Sequence, residues 1–213
     1  VLSFPAEDRQ NFFPSRKKLL VGPLVRRGIE TGDKTTALRS FGFAQDRFTV
    51  FVMGGSGGAH AINMAMKDAA KLLKGGIQIL HQTGEKDVEI VRTAYREAGI
   101  PATVMPYITE MAAAYAAADL VISRSGATTI AELAVCGKRA VLIPFPYAAD
   151  NHQEFNARAL AARGNAEVIV QKDLTPEGLA RLIQQHAARG TTATTPQPAT
   201  AAQEIARLCK NYV

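Results

Sequence analysis

Tryptophan is absent from this chain, and tyrosine is limited to five residues. Reading of single-stranded nucleic acid depends on flat aromatic faces on which bases stack, so no nucleic-acid partner is expected. Cysteine is as scarce. Cys136 and Cys209 stand far apart, and neither has a partner at metal-ligand spacing. That argues against a disulfide framework or a zinc cluster, and reads as buried or incidental thiols in a reducing compartment. No apolar run approaches the roughly 18 residues of a membrane-spanning helix, and no signal peptide heads the chain. No Asp-x-Asp pair is present, and no glycine run leads into the Lys-Ser or Lys-Thr of a Walker loop.

What remains is ordinary globular material with a basic balance. Hydrophobic residues make up 47% and charged residues 21%, enough to bury a core. Lys and Arg number 25 against 19 Asp and Glu, a net charge of +6 that suits an acidic membrane or a phosphorylated substrate. The chain begins at Val1 rather than Met, and VLSFPAEDRQNFF reads like the interior of a protein. A fragment of a longer protein is therefore expected.

The most informative stretch runs from Ser123 to Ala157. DLVISR before it reads as a short buried strand. Ser125-Gly126-Ala127-Thr128-Thr129 then forms a small-residue turn that opens into the helix-forming run IAELAV. A strand, a tight turn and a helix N-terminus in succession make an anion site, because first-turn N–H groups point outward with the helix dipole behind them. Glu132 lies one turn into that helix as an acceptor for sugar hydroxyls, or else pairs with Lys138 or Arg139 on a solvated face. Past the strand run RAVLIPF, polar Asp150, Asn151, His152 and Gln153 cluster before another helix.

A second glycine loop has the same design. FTVFVM, residues 48–53, predicts a strand, Gly54-Gly55-Ser56-Gly57-Gly58-Ala59-His60 a turn, and AINMAMKDAAKLLKG a helix. Ile62, Met66, Ala69, Ala70 and Leu73 recur there at helical spacing as a core face. His60 is a phosphate neighbour or a polar first-turn residue. IQILHQ predicts the next strand, with His81 and Gln82 at its carboxyl end. A helix from about Asp87 to Ala98 stops at Gly99. ATVMPYI predicts a strand, and TEMAAAYAAA a helix capped by Thr109. AEVIV predicts a last strand, and Thr175-Pro176 start a helix to about Ala188. Upstream, Leu19 to Val21 read as a short strand, Gly22-Pro23 as a turn, and TTALRSFGF as a short helix.

The pair S-R-S-G-A-T-T-x-x-E and P-F-P-Y-A-A-D-N-H-Q-x-x-N-A, separated by one strand, resembles the donor-nucleotide site of the MurG family. These are bacterial N-acetylglucosaminyltransferases of peptidoglycan synthesis. The loop at Gly54 resembles the family's G-G-S-x-G-A, with Gly57 at the variable position. The resemblance implies binding of UDP-N-acetylglucosamine. Gly55, Ser56, Gly57 and Gly58 would meet the diphosphate together with Ser125, Gly126, Ala127, Thr128 and Thr129. Glu132 would take the ribose, and His152 and Gln153 the sugar. Ile108 and Met111 border the turn where the family seats uracil, or else pack in the core. Arg26 follows a turn related to the family's G-N-P-V-R, but the Asn is missing and Leu24 intervenes. It is either a phosphate ligand or a solvated arginine.

Strands of about five apolar residues alternating with helices argue for an α/β fold, a Rossmann-like parallel sheet of about six strands with helices on both faces. The resemblance places it as the C-terminal domain of a GT-B fold. Residues 1–40 are expected to precede the domain as interdomain chain, 41–190 to form it, and 191–213 to supply a linker and final helix. An inverting transfer to lipid-linked muramyl pentapeptide is implied, with no cofactor, no metal and a catalytic base from an absent N-terminal half. The family works peripherally at the cytoplasmic face of the bacterial cell membrane. Another GT-B transferase and a non-catalytic UDP-sugar-binding remnant are the alternative readings.

Overall fold

The structure, a computed structural model, describes residues 24–190, 195–199 and 201–210. The expected strand at Leu19 to Val21 and the turn at Gly22-Pro23 lie outside the described residues. Among the described residues six parallel strands form one sheet: β1 (Phe48–Met53), β2 (Ile77–Gln82), β3 (Ala102–Met105), β4 (Leu120–Ser123), β5 (Ala140–Leu142) and β6 (Ala166–Val168). Their order across the sheet is β3-β2-β1-β4-β5-β6. Among the described residues eight α-helices accompany them: α1 (Lys34–Ser40), α2 (His60–Ala69), α3 (Val88–Glu97), α4 (Met111–Ala117), α5 (Ala127–Val135), α6 (His152–Ala161), α7 (Pro176–Arg189) and α8 (Ala201–Lys210).

Helices cover both faces of the sheet, so its central strands are near-continuously apolar instead of alternating. The period of two along a strand still decides which side each residue serves. Phe51, Met53, Leu80, Val121 and Leu142 join the core that also holds residues of α1, α4, α5 and α6. Val50, Val52, Ile79, Ile122 and Val141 join the opposite core with residues of α2, α3 and α7. Ile62, Met66 and Ala70 are buried on the second side, as their helical spacing predicts, Ala69 is buried as well, and Leu73 packs against that core half-buried.

Several boundaries differ from expectation. β3 stops at Met105 and β5 at Leu142, short of the runs that continued through Pro106 and Pro144. Proline has no N–H to give to a ladder and restrains the residue before it. The N-cap of α4 is Glu110, with no side-chain bond, and not Thr109. The cap of α7 is Thr175 as expected, its side chain accepting from the Gly178 N–H. α1 packs on α4 and contributes Ala37 and Leu38 to the core, and its Lys34 pairs with Asp119. The cysteines divide. Cys136 is half-buried, its thiol pushed up to about 12 by burial, whereas Cys209 is exposed on α8.

The chain leaves β1 in one direction through β2 and β3, then returns to the other side of β1 with β4. At this reversal the connections from neighbouring strands run to opposite faces of the sheet, and a crevice opens between them. Register brings the two strand ends level: Met53 lies opposite Ser123. The Gly54 and Arg124 loops therefore start side by side.

Two glycines allow the first of these loops to lie flat on its neighbour. A methyl group at Gly58 would stand 1.8 Å from the Thr83 carbonyl oxygen, and one at Gly84 2.3 Å from the Gly57 carbonyl oxygen. Gly58 also has a φ of +76°, where side chains are strained. Gly57 has open space around its Cα. Gly58→Ala should thus destabilise the fold by about 3 kcal/mol or more, while Gly57→Ala stays within about 0.5 kcal/mol. Urea unfolding of both variants checks this, and equal midpoints would contradict the contact.

Candidate functional site

A cleft of about 620 Å³ lies at the reversal point, lined by Gly54, Gly55, Gly58, Ala59, His60, Ala61, Arg124, Gly126, Thr129, Phe145, Gln153 and Gln171. Two helices begin on it. Ala59 caps α2 and Gly126 caps α5, both in extended conformation and both without a side-chain hydrogen bond to the first turn. The first intrahelical bonds run from Asn63 N–H to Ala59 and from Ile130 N–H to Gly126. The N–H groups ahead of them, at residues 60–62 and 127–129, are those an α-helix leaves unsatisfied. Two uncapped N-termini on one cleft concentrate partial positive charge where an anion can reach it.

The expected site residues fall into groups. Gly55, Gly58, Gly126, Thr129 and Gln153 line the cleft. Ser56 and Gly57 are exposed on the glycine loop, and Ala127 and Thr128 are exposed on the first turn of α5. Ser125 is fully buried and acts as a tie: its Oγ donates to the Gln153 carbonyl at 2.7 Å, and its own carbonyl accepts from Asn156 Nδ2 at 3.2 Å. His152 is exposed, its Nδ1 2.8 Å from the Ala149 carbonyl. At Ile108 and Met111 both side chains belong to the core, and the Ile108 N–H is taken by Gln82 Oε1 at 2.8 Å.

Glu132 is not on a solvated face, and its partners are neither Lys138 nor Arg139. Its side chain is 4% exposed; Oε1 accepts from Arg26 Nε at 3.1 Å and Oε2 from the Tyr115 hydroxyl at 2.9 Å. Burial, then Glu132, pushes the Tyr115 hydroxyl well above its usual range, so it remains a donor. Arg26 thus meets Glu132 across 106 residues. Its side chain is 52% exposed, so it can leave the carboxylate without disturbing the core.

Gln153 is oriented by the backbone around it. Its Oε1 accepts from Phe145 N–H at 3.0 Å and Ser125 N–H at 3.3 Å. The amide nitrogen is what this leaves for a ligand, so Gln153 faces the cleft as a donor.

Arg124 is a cleft residue that sequence reasoning passed over within the S-R-S-G motif. It is 9% exposed, its Nη1 donating to the Ile143 and Pro144 carbonyls, both at 3.0 Å, and its Nη2 to Gln171 Oε1 at 2.6 Å. The guanidinium also lies 5.4 Å from the Phe145 ring centroid. Burial lowers its pKa from the ordinary arginine value. One side chain thereby joins the ends of β4 and β5 and the turn after β6. The signal for it was its place at the carboxyl end of a buried strand. Gln171, far along the chain, had none.

Behind the glycine loop lies a buried polar chain. His81 is completely enclosed, with Nδ1 2.7 Å from the Tyr95 hydroxyl and Nε2 3.0 Å from Asn63 Oδ1. Asn63 Nδ2 donates to the Thr83 carbonyl and to Asp87 Oδ2. Asn63 must then present its oxygen to His81, so His81 carries its proton on Nε2 and accepts from Tyr95 at Nδ1. His81 is structural, not ligand-facing. Burial drives its pKa down from 6.5 to about 3.

Known proteins share this fold and much of this sequence. Residues 49–212 match the glycosyltransferase family 28 C-terminal domain, and the chain belongs to that family. It is 46% identical over 177 residues to the UDP-N-acetylglucosamine--N-acetylmuramyl-(pentapeptide) pyrophosphoryl-undecaprenol N-acetylglucosamine transferase of Thermodesulfovibrio yellowstonii, covering 82% of this chain and 48% of that protein. The enzyme of the same name from Geobacter sulfurreducens is 43% identical over 205 residues, covering 95% of this chain and 55% of that protein. The crystal structure of Acinetobacter baumannii MurG superposes with a TM-score of 0.75 at 30% identity, over 98% of this chain and 59% of that one. WaaG, a glycosyltransferase of lipopolysaccharide biosynthesis, shares the fold at a TM-score of 0.58 and 11% identity. The chain spans about half the length of the curated relatives it matches.

His81 gives the fold an acid-sensitive point. The unfolded chain takes up its proton near pH 6.5, the folded chain only near 3, so stability falls as pH drops through that window. Between pH 7 and 4 the wild type should lose on the order of 3 kcal/mol more than His81→Gln does. Urea titrations of both proteins at the two pH values measure it. Parallel losses would show that His81 titrates freely.

Proposed function

We propose that this chain is the donor-binding half of an inverting N-acetylglucosaminyltransferase of cell-wall synthesis. The observation that carries the reading is the pair of uncapped helix N-termini on one cleft, in a chain of this family. The donor is UDP-N-acetylglucosamine, and its diphosphate lies between the loop at Gly55, Ser56, Gly57 and Gly58 and the turn from Ser125 to Thr129. Gln153 donates to a sugar oxygen from its amide nitrogen, assisted by His152. Backbone groups around Ile108 and Met111 border the uracil. The acceptor is lipid-linked muramyl pentapeptide, presented by the other half of the parent protein at the cytoplasmic membrane face. Among the described residues no helix is long and apolar enough to cross a membrane.

In the transfer an acceptor oxygen attacks the anomeric carbon from the face opposite UDP. The new C–O bond forms as the bond to the diphosphate breaks, and the acceptor proton passes to a base of the other half. Negative charge grows on the departing UDP, where preorganised N–H groups and helix dipoles stabilise it without reorganisation. Arg26 and Glu132 act together. The ribose reaches the Glu132 carboxylate as Arg26 swings from it to the diphosphate, and Tyr115 keeps holding Oε2 in place.

Calorimetry with UDP and UDP-N-acetylglucosamine tests the assignment. Glu132→Gln keeps an acceptor for Tyr115 yet loses the charge, so both ligands should bind about tenfold more weakly. Gln153→Glu keeps acceptors for Phe145 and Ser125 but removes the donor and sets a carboxylate beside the diphosphate, so UDP should weaken and the sugar nucleotide should weaken further. Unchanged UDP affinity in Glu132→Gln would exclude the ribose role.

A further inference from the structure

We propose that His60, oriented by Asp87, is a direct ligand for the diphosphate of the bound nucleotide, an inference that rests on the donor-cleft reading. His60 is the first residue of α2 and lines the cleft. Its Nδ1 lies 3.0 Å from both carboxylate oxygens of Asp87, at the N-cap of α3. Asp87 is itself held by Asn63 Nδ2 at 2.7 Å, and Asn63 by His81, which Tyr95 pins. Burial raises the Asp87 carboxyl, but the bonds from Asn63 and His60 outweigh it and hold the group below its usual value.

The direction of every proton in this chain follows from its two ends. His81 is neutral and donates through Nε2, so Asn63 accepts with oxygen and donates with nitrogen. Asp87, ionised, can only accept. His60 must therefore donate from Nδ1. Its Nε2 makes no hydrogen bond to the described residues and is the ring atom left for a ligand. With Nδ1–H committed to Asp87, Nε2 becomes a donor when the ring takes its second proton.

The ring stands between the open start of α2 and the Asp87 carboxylate, and Arg124 lies across the cleft from it. A diphosphate entering between them brings the negative charge that makes Nε2–H a charge-assisted donor. A carboxylate that orients a histidine toward a reacting group is a recurrent device in catalytic sites. Here it aims the ring at the leaving group.

His60 is 75% exposed in its side chain, so replacing it leaves the core intact. The experiment titrates UDP and uridine into wild type, His60→Gln and Asp87→Asn by calorimetry at pH 6, below the ordinary imidazole value. UDP should bind about fivefold to tenfold more weakly to His60→Gln, and about threefold more weakly to Asp87→Asn, whose imidazole has lost its anionic partner. Uridine affinity should not change in either. UDP curves for His60→Gln that superimpose on wild type, while Glu132→Gln weakens binding, would overturn the proposal and leave the donor reading standing. Equal loss of UDP and uridine would also overturn it. No UDP binding by the wild type would remove the donor reading and this inference together.

Discussion

The cleft depends on the contact between two backbones, at Gly57-Gly58 and Thr83-Gly84. A side chain at Gly58 or Gly84 would overlap the facing carbonyl oxygen. With hydrogen in that place, the loop after β1 lies directly on the end of β2. Gln82 fastens the same corner, giving Nε2 to the Gly55 carbonyl at 2.8 Å and accepting from the Ile108 N–H. The axis of α2 is then set, and its N-terminus opens on the crevice beside that of α5. The anion-attracting field of the site is thus a consequence of packing, since dipoles fixed by the fold need no rearrangement when charge arrives.

Polar groups within the sheet are distributed by the same logic. β2 carries Gln78, His81 and Gln82 at fully buried positions, and each has its partners supplied. Burying such groups unpaired would cost several kcal/mol apiece, so they specify one arrangement of their neighbours. Gln78 holds the segment at Ala44, His81 the α2–α3 side, and Gln82 the glycine loop. Only the last two lie near the strand's carboxyl end, where precision bears on the cleft.

On the other wall, Arg124 and Gln153 tie loops that approach from three strands. Arg124 satisfies carbonyls that β5 leaves without partners at its end, and Gln153 satisfies N–H groups of the β4 and β5 loops. Asp150 and Asn151, both at positive φ, turn the chain sharply into α6. Left-handed conformations are tolerated in Asp and Asn because their short side chains bond locally. The turn delivers Gln153 to the cleft with its oxygen engaged and its nitrogen outward.

How much of this was legible can be judged residue by residue. β1 and β2 were legible to the residue, because Phe48–Met53 and Ile77–Gln82 are apolar-rich runs bounded by glycine and turn residues. The start of α7 was legible in Thr175-Pro176, and the two strand–turn–helix corners in small residues placed between strand and helix. These are local properties: propensity, periodicity and the φ/ψ range of glycine and proline act over a few residues. The order of the strands, the pairing of Arg26 with Glu132, the burial of Glu132 and the tautomer of His81 belong to the tertiary structure. Each depends on which groups meet after distant segments pack, and a carboxylate one turn into a helix reads identically whether it faces water or a buried tyrosine. Chemistry of the turns was written in the sequence, whereas partnership was decided by the sheet, because a hydrogen bond is selected by proximity in space and not along the chain.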